Sequence, residues 1–163
     1  MVIAYHAILS MYGFWLPNDP RGSWSTWIRI GDLLRFGPAT KVETRHSVAN
    51  DNHDYKQRLA AKQSLAYPPV ELTGQQAFAI SKGFAQAMSE SGYRIHACAI
   101  LPEHTHVIIG QRVDRPIEQI VGHLKGRATQ QLKREGLHPL GSFSNKNGET
   151  PSPWSEGYWK TYY

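Results

Sequence analysis

The chain has 163 residues, of which 40% are hydrophobic and 19% are charged, and it contains 14 glycines, 10 prolines and one cysteine. This length suffices for one domain with its own core, and the composition is that of a turn-rich globular protein. A single cysteine excludes an intrachain disulfide framework and a thiolate metal cluster. Because no membrane-length apolar run and no signal peptide are recognisable, we expect a cytoplasmic protein.

Lysine and arginine total 18 against 13 acidic residues, which gives a net charge of +5. A basic surface favours polyanions, and nucleic acid is the commonest polyanion in a cytoplasm. Many basic proteins bind no DNA, so charge alone leaves this function open.

The first predicted element is a strand within residues 1–11. Alternation predicts one face with Tyr5, Ala7 and Leu9, and an opposite face with His6, Ile8 and Ser10. A turn-rich stretch follows, and then an irregular insertion at about 25–67, in which residues 52–67 predict a helix that ends before two prolines.

Residues 72–93 predict a helix with Thr73 as N-cap, Gln76 completing a capping box and Gly92 as the C-terminal stop. Its core-facing positions are expected to be Ala77, Ile80, Phe84 and Met88. Residues 93–102 and 102–110 then predict two strands of a hairpin that turns at Pro102–Glu103.

Residues 114–136 predict a further helix, and residues 153–163 a final strand. The buried stripe of this helix is expected to consist of Ile117, Ile120, Val121, Leu124, Ala128 and Leu132. Four cationic residues fall largely outside that stripe: Lys125, Arg127, Lys133 and Arg134.

The order strand, helix, strand, strand, helix, strand predicts one α+β domain over residues 1–163. It is typical of a ferredoxin-like, split βαβ antiparallel sheet with helices packed on one face. We expect the helices to meet Tyr5, Leu9, Ile95, Ala99, Val107 and Ile109. The opposite face is then expected to carry His6, His96, Cys98, His104 and His106.

The segment "PEHTHVIIG" places His104 and His106 side by side on one face of a strand. Two imidazoles make half of a site for a divalent ion, and His6 or His96 could support them from behind. The alternative is that both are partly buried strand histidines satisfied by hydrogen bonds. No HExxH, Walker, GxSxG or dinucleotide-binding motif is present.

Several segments together resemble the single-tyrosine HUH transposases, specifically the REP-associated tyrosine transposase group. They are "AYHAIL", "YGFWLPNDPRG", "LPEHTHVII", "IVGHLKGRATQQL" and "PWSEGYWKTYY". The resemblance runs from Tyr5 to Trp159, interrupted by the insertion.

The resemblance implies a nuclease-transferase that recognises single-stranded DNA hairpins, as a monomer or homodimer. His104 and His106 would hold Mg²⁺ or Mn²⁺ against the scissile phosphate, and a tyrosine would attack phosphorus, leaving a 5′-phosphotyrosine and a free 3′-hydroxyl. The residue between the two histidines is usually bulky and hydrophobic in this family. Here it is Thr105, whose β-branched side chain can still fill a core position.

In the family the nucleophilic tyrosine lies on a helix after the last strand, where this sequence ends, so we expect that helix to be absent from this chain. Otherwise Tyr158, Tyr162 or Tyr163 would be the nucleophile, with Tyr162 our candidate, or a partner chain would supply the helix. The simpler interpretation is that these tyrosines are strand residues.

For DNA contacts the candidates are Lys125, Arg127, Lys133 and Arg134, with Arg21 and Trp24 in the turn-rich stretch. Each could equally be an ordinary solvated or core-capping residue. Two alternative functions remain at this point, a non-catalytic nucleic-acid-binding module and a metal-binding or structural protein.

Overall fold

The computed structural model describes residues 3–14, 16, 19, 31–37, 54–112 and 114–162. The chain divides into two compact units, one of residues 1–12 with 70–163 and one of residues 13–69. The strands are β1 (Ala4–Ser10), β2 (Ile95–Ile100), β3 (His104–Gly110) and β4 (Trp159–Tyr162). The α-helices are α1 (Tyr55–Gln63), α2 (Gly74–Ser91) and α3 (Ile117–Arg134), and Gly31–Phe36 form a 3-10 helix.

The first unit contains a four-stranded sheet in the order β2-β3-β1-β4, with every neighbouring pair antiparallel. With α2 between β1 and β2, and α3 between β3 and β4, this is the predicted ferredoxin-like, split βαβ fold. In the described part of this unit, both helices lie on one face of the sheet, the helix side, and we call the opposite face, which carries His6, His104 and His106, the open face.

The register of β1 against β3 confirms the predicted facing of both strands. Ala7 lies opposite Val107 and Leu9 opposite Thr105, and all four side chains are fully buried on the helix side. Consecutive strand residues alternate between faces. His104, His106 and His6 therefore lie on the open face, as the alternation predicted.

Strand β2 departs from the predicted alternation because it contains a bulge. Ile95 pairs with Ile109, but Ala97 already pairs with Ile108, which shifts the register by one residue. Cys98 consequently lies opposite Val107 on the helix side, and Ala99 opposite His106 on the open face. The expectation that Cys98 joins the histidine face and Ala99 the core was wrong.

Helix α2 begins and ends as its local sequence predicts. Thr73 and Gln76 form a reciprocal capping box, and Gly92 ends the helix in the left-handed conformation, with φ of 67°. Ile80 and Phe84 are buried, whereas Ala77 and Met88 are only half-buried.

Helix α3 buries all six residues of its predicted stripe. Its first turn is tied to the last strand by Lys160, whose Nζ donates to Glu118 Oε1 at 2.7 Å. Lys160 pairs with Ala7, whose side chain is buried under the helices. The contact with Glu118 therefore shows that α3 packs on the same face of the sheet as Ala7.

The second unit brings together a small apolar cluster. Leu16, Leu33 and Ala61 are buried, with Phe36 and Leu65 packed against them. Helix α1 begins at a cap in which Asp54 accepts a hydrogen bond from the Gln57 amide at 3.0 Å. It occupies part of the predicted helix at 52–67. Within the described ranges, no helix is both long enough and apolar enough to cross a bilayer.

Candidate functional site

Strands β1 and β3 bring three histidines together on the open face of the sheet. His104 Nε2 lies 3.0 Å from His106 Nε2, and His106 Nδ1 lies 2.8 Å from His6 Nε2. The His6 and His106 rings are stacked, with centroids 5.1 Å apart. These three side chains form the histidine cluster.

The spacing of two nitrogens in the histidine cluster suits a shared metal ion. Two ligands about 2.1 Å from an octahedral ion, in adjacent positions, are roughly 3.0 Å apart. His104 Nε2 and His106 Nε2 have this separation. Among the described residues, no group of three or more His, Cys, Asp or Glu side chains is arranged to hold an ion. The described chain thus offers two ligands, and water or a substrate oxygen would complete the shell.

His106 is hydrogen-bonded at both ring nitrogens, through Nδ1 to His6 and through Nε2 to His104. A partner at the non-coordinating nitrogen is what usually orients a metal-binding histidine. Burial lowers the pKa of both His6 and His106, and for His6 the nearby His106 adds to the effect. Both therefore favour the neutral form, which is the form that binds metal.

His96 is not part of the histidine cluster, although it lies on the open face. Its Nε2 is 3.1 Å from the position that a Cβ at Gly110 would occupy. It therefore lies near the end of β3 that is opposite to His104.

Trp159 reaches the histidine cluster from the last strand. Its ring meets His6 edge to face, with centroids 5.7 Å apart. Trp159 pairs with Ile8, which puts it on the open face. Alternation within β4 predicts that Trp159 and Tyr162 lie on opposite faces. Which of them joins the histidines is decided by the pairing of β4 with β1.

Tyr162, the candidate nucleophile, lies on the wrong face of the sheet. It pairs with Tyr5, and the two rings are 5.5 Å apart on the helix side. The Tyr158 hydroxyl donates to Glu118 Oε1, and burial together with this bond raises the pKa of Tyr158 to about 12. Neither tyrosine is placed to attack a phosphate at the histidine cluster. Tyr163 lies outside the described residues.

The cationic residues of α3 are not all exposed. The Lys125 Nζ donates hydrogen bonds to the Ser155 and Gly157 carbonyls, in the segment before the last strand. Burial lowers the pKa of Lys125 to about 8. Lys125 lies outside the buried stripe, as expected, but its ammonium group is engaged by these two carbonyls, and DNA contact by Lys125 stays a prediction.

The other predicted DNA contacts differ in their surroundings. Arg127 pairs with Glu90 at 2.7 Å, whereas Lys133 and Arg134 are exposed. DNA binding by these three residues stays a prediction. Arg21 and Trp24 lie outside the described residues.

Comparisons with known proteins support the fold. No protein-family model and no curated protein matches this chain. Its structure is similar to that of a candidate transposase from Deinococcus radiodurans R1, with a TM-score of 0.50 and 11% identity, over 99% of this chain and 78% of the other.

A second similarity is to a REP-associated tyrosine transposase bound to a REP hairpin. Its TM-score is 0.46 at 11% identity, over 99% of this chain and 56% of that one. At 11% sequence identity, structural similarity shows the fold and does not show the activity. The open antiparallel sheet, with its helices on one face, therefore gives this chain a transposase-like fold.

Proposed function

We propose that this chain is a REP-associated-type transposase protein that binds single-stranded DNA hairpins in the cytoplasm, with Mg²⁺ or Mn²⁺ held by His104 and His106. The observation that carries the proposal is the 3.0 Å approach of the two Nε2 atoms on the open face of a transposase-like sheet. The motif resemblance and the net charge of +5 support the same substrate.

The three histidines of the cluster would have two different roles. His104 and His106 would hold the ion, and His6 would orient His106 through its Nδ1. A divalent ion there would stabilise negative charge on the phosphoryl oxygens of the bound strand. The Trp159 ring offers an aromatic surface beside the cluster for an unpaired base.

Nicking and rejoining form the finer part of the proposal. A tyrosine oxygen would bond to phosphorus while the bond to the 3′ oxygen breaks, leaving a phosphotyrosine and a 3′-hydroxyl. Since Tyr158 and Tyr162 lie on the helix side, we propose that another tyrosine, Tyr163 or one from a partner chain, is the nucleophile. The placement of these two tyrosines equally favours the alternative, a non-catalytic DNA-binding module of the same fold.

Calorimetric titration with Mn²⁺ tests the metal site directly. Replacing both ligands, His104→Ala with His106→Ala, is expected to reduce Mn²⁺ affinity by at least about 100-fold, because each ligand or its support contributes 10- to 100-fold. The control His138→Gln alters a histidine outside the cluster and is expected to leave Mn²⁺ affinity unchanged. Equal Mn²⁺ affinity in the double variant and the original chain would contradict the site.

A labelled library of single-stranded hairpins tests the DNA function. We expect hairpin binding that is stronger with Mn²⁺ than with EDTA. A covalent adduct, detected by intact mass, would show that the nucleophile lies within this chain. Binding that ignores the metal would favour the non-catalytic module, and absence of binding would overturn the proposal.

A further inference from the structure

A cavity of about 1020 Å³ opens at the end of β3 opposite to His104. Its lining includes open-face residues of β3 and residues around the end of α2. They include Arg94, His96, Ile108, Gly110, Gln111 and Arg112. We call this the Gly110 cavity. It lies outside the histidine cluster but on the same face of the sheet.

The bulge in β2 shapes the wall of the Gly110 cavity. Ile95 pairs with Ile109 and Ala97 with Ile108, so His96 is the extra residue between two paired positions. A Cβ at Gly110 would lie 3.1 Å from His96 Nε2 and 3.5 Å from Arg94 Cβ. Both side chains therefore border Gly110, and the missing Cβ makes room for the His96 imidazole at this end of the cavity.

The cationic side chains around the cavity differ in availability. The Arg112 guanidinium makes two hydrogen bonds of 2.8 Å to Asp114, and its Nη1 donates to the Ser91 and Gly92 carbonyls. It is thus used in holding the end of α2. Arg94 and His96 are exposed, and their side chains hydrogen-bond to no residue within the described ranges. These two groups are free to meet a ligand.

The shape and chemistry of the cavity favour a nucleobase over a phosphate. Its lining combines the apolar Ile108 and Gly110 with the side chains of Arg94 and His96, which lie next to Gly110. A flat base can lie against the apolar residues and present its polar rim to these two side chains. Arginine planes and histidine rings also stack on unpaired bases.

The distance between the Gly110 cavity and the histidine cluster is short enough for one DNA strand to contact both. His106 and Gly110 are four residues apart on one strand, which is roughly 13 Å. Stacked nucleotides rise 3.4 Å each, so this distance spans at most about four nucleotides. A strand held at the cluster can therefore reach the cavity.

We propose that the Gly110 cavity binds an unpaired nucleobase of a DNA strand whose phosphate lies at His104 and His106. This proposal rests on the proposed function for the presence of the strand. It adds a second contact point on the open face, with Arg94 and His96 as the recognising residues.

The test compares fluorescence anisotropy of a dA 12-mer with that of an abasic 12-mer at the same salt concentration. Two variants probe the cavity, Gly110→Val, whose side chain would displace the His96 imidazole, and Arg94→Gln, which removes the guanidinium. The measured quantity is the ratio of the abasic Kd to the dA Kd. Each variant is expected to lower this ratio about tenfold relative to the original chain, which is the effect of losing one stacked base.

The control Lys146→Gln removes the same charge from an exposed loop and is expected to leave the ratio unchanged. A ratio equal to that of the original chain in both cavity variants would overturn the cavity proposal. Because Arg94 is exposed, Arg94→Gln tests the proposal even if Gly110→Val disturbs β3.

A second measurement separates failure of the cavity from failure of the DNA function. If the original chain binds neither 12-mer, the proposed function is decided separately, by its binding to the hairpin library. The cavity is then judged by the NMR shift of the Gly110 amide during titration with deoxyadenosine monophosphate. A shift that Arg94→Gln abolishes would support a base site, and no shift would overturn it.

Discussion

Thr105 lies between the two candidate metal ligands and points to the opposite side of the sheet. Its side chain is fully buried, and its Oγ1 has no hydrogen-bond partner among the described residues. A buried hydroxyl without a partner destabilises the folded state, because it loses its hydrogen bonds to water. A shape-preserving apolar residue would suit this position better.

We therefore predict that Thr105→Val raises the free energy of unfolding by about 1 kcal/mol. Urea denaturation measures this change. The matched control is Thr129→Val, because Thr129 Oγ1 donates to the Lys125 carbonyl at 2.8 Å and accepts from Trp154 Nε1 at 3.0 Å. That variant is expected to lower the free energy of unfolding by about 1 to 2 kcal/mol. Destabilisation by Thr105→Val would show that the hydroxyl has a partner.

Helices α2 and α3 approach each other closely at one glycine. A Cβ built at Gly83 would lie 2.6 Å from the Ala128 Cα, so any side chain there meets backbone. On α3, a Cβ at Gly122 would meet nothing within 4 Å. A side chain is therefore excluded at Gly83 by the neighbouring helix but has room at Gly122.

The element-scale prediction uses these glycines as a pair. Gly83→Ala is expected to lower the free energy of unfolding by about 2 kcal/mol, because overpacking outweighs the gain in helix propensity. Gly122→Ala is expected to raise it by about 0.5 to 1 kcal/mol, because propensity acts alone. Midpoints of thermal or urea unfolding measure both changes. Similar shifts of the same sign would contradict the close approach of α2 and α3.

The stability of the whole molecule depends on pH through the histidine cluster. Burial lowers the folded-state pKa of His6 and His106, whereas the unfolded chain protonates them near the ordinary value of about 6.5. Below that pH the unfolded state binds more protons than the folded state. Stability is thus fully present above about pH 6.5 and is lost as pH falls toward the lower folded-state pKa.

We predict that the free energy of unfolding of the metal-free chain falls as pH decreases from 7.5 to 5.5. Urea denaturation in EDTA across this range measures the slope. The double variant His6→Gln with His106→Gln is expected to show a shallower slope, since it removes both proton-linked groups. The same slope in both proteins would assign the pH dependence to other residues, such as His138, whose pKa burial also lowers.

Local patterns account for the elements that were predicted correctly. The alternation of Tyr5, Ala7 and Leu9 determined the buried face of β1, because the side-chain period of a strand is two. Likewise, Thr73, Gln76 and Gly92 determined the ends of α2 through hydrogen bonds within a few residues. The candidate metal pair was also local, since His104 and His106 are two residues apart on one strand.

Contacts between distant segments decided the remaining features. The bulge in β2 depends on pairing with β3, and it moved Cys98 to the helix side. Pairing of β4 with β1 put Tyr162 on the helix side and Trp159 beside His6, and packing of 155–157 against α3 turned Lys125 inward. Short-range periodicity therefore determined which residues of one element could share a face. Strand register and packing decided which of those faces meet. Register and packing could not be predicted locally, because they depend on free energies summed over segments far apart in the chain.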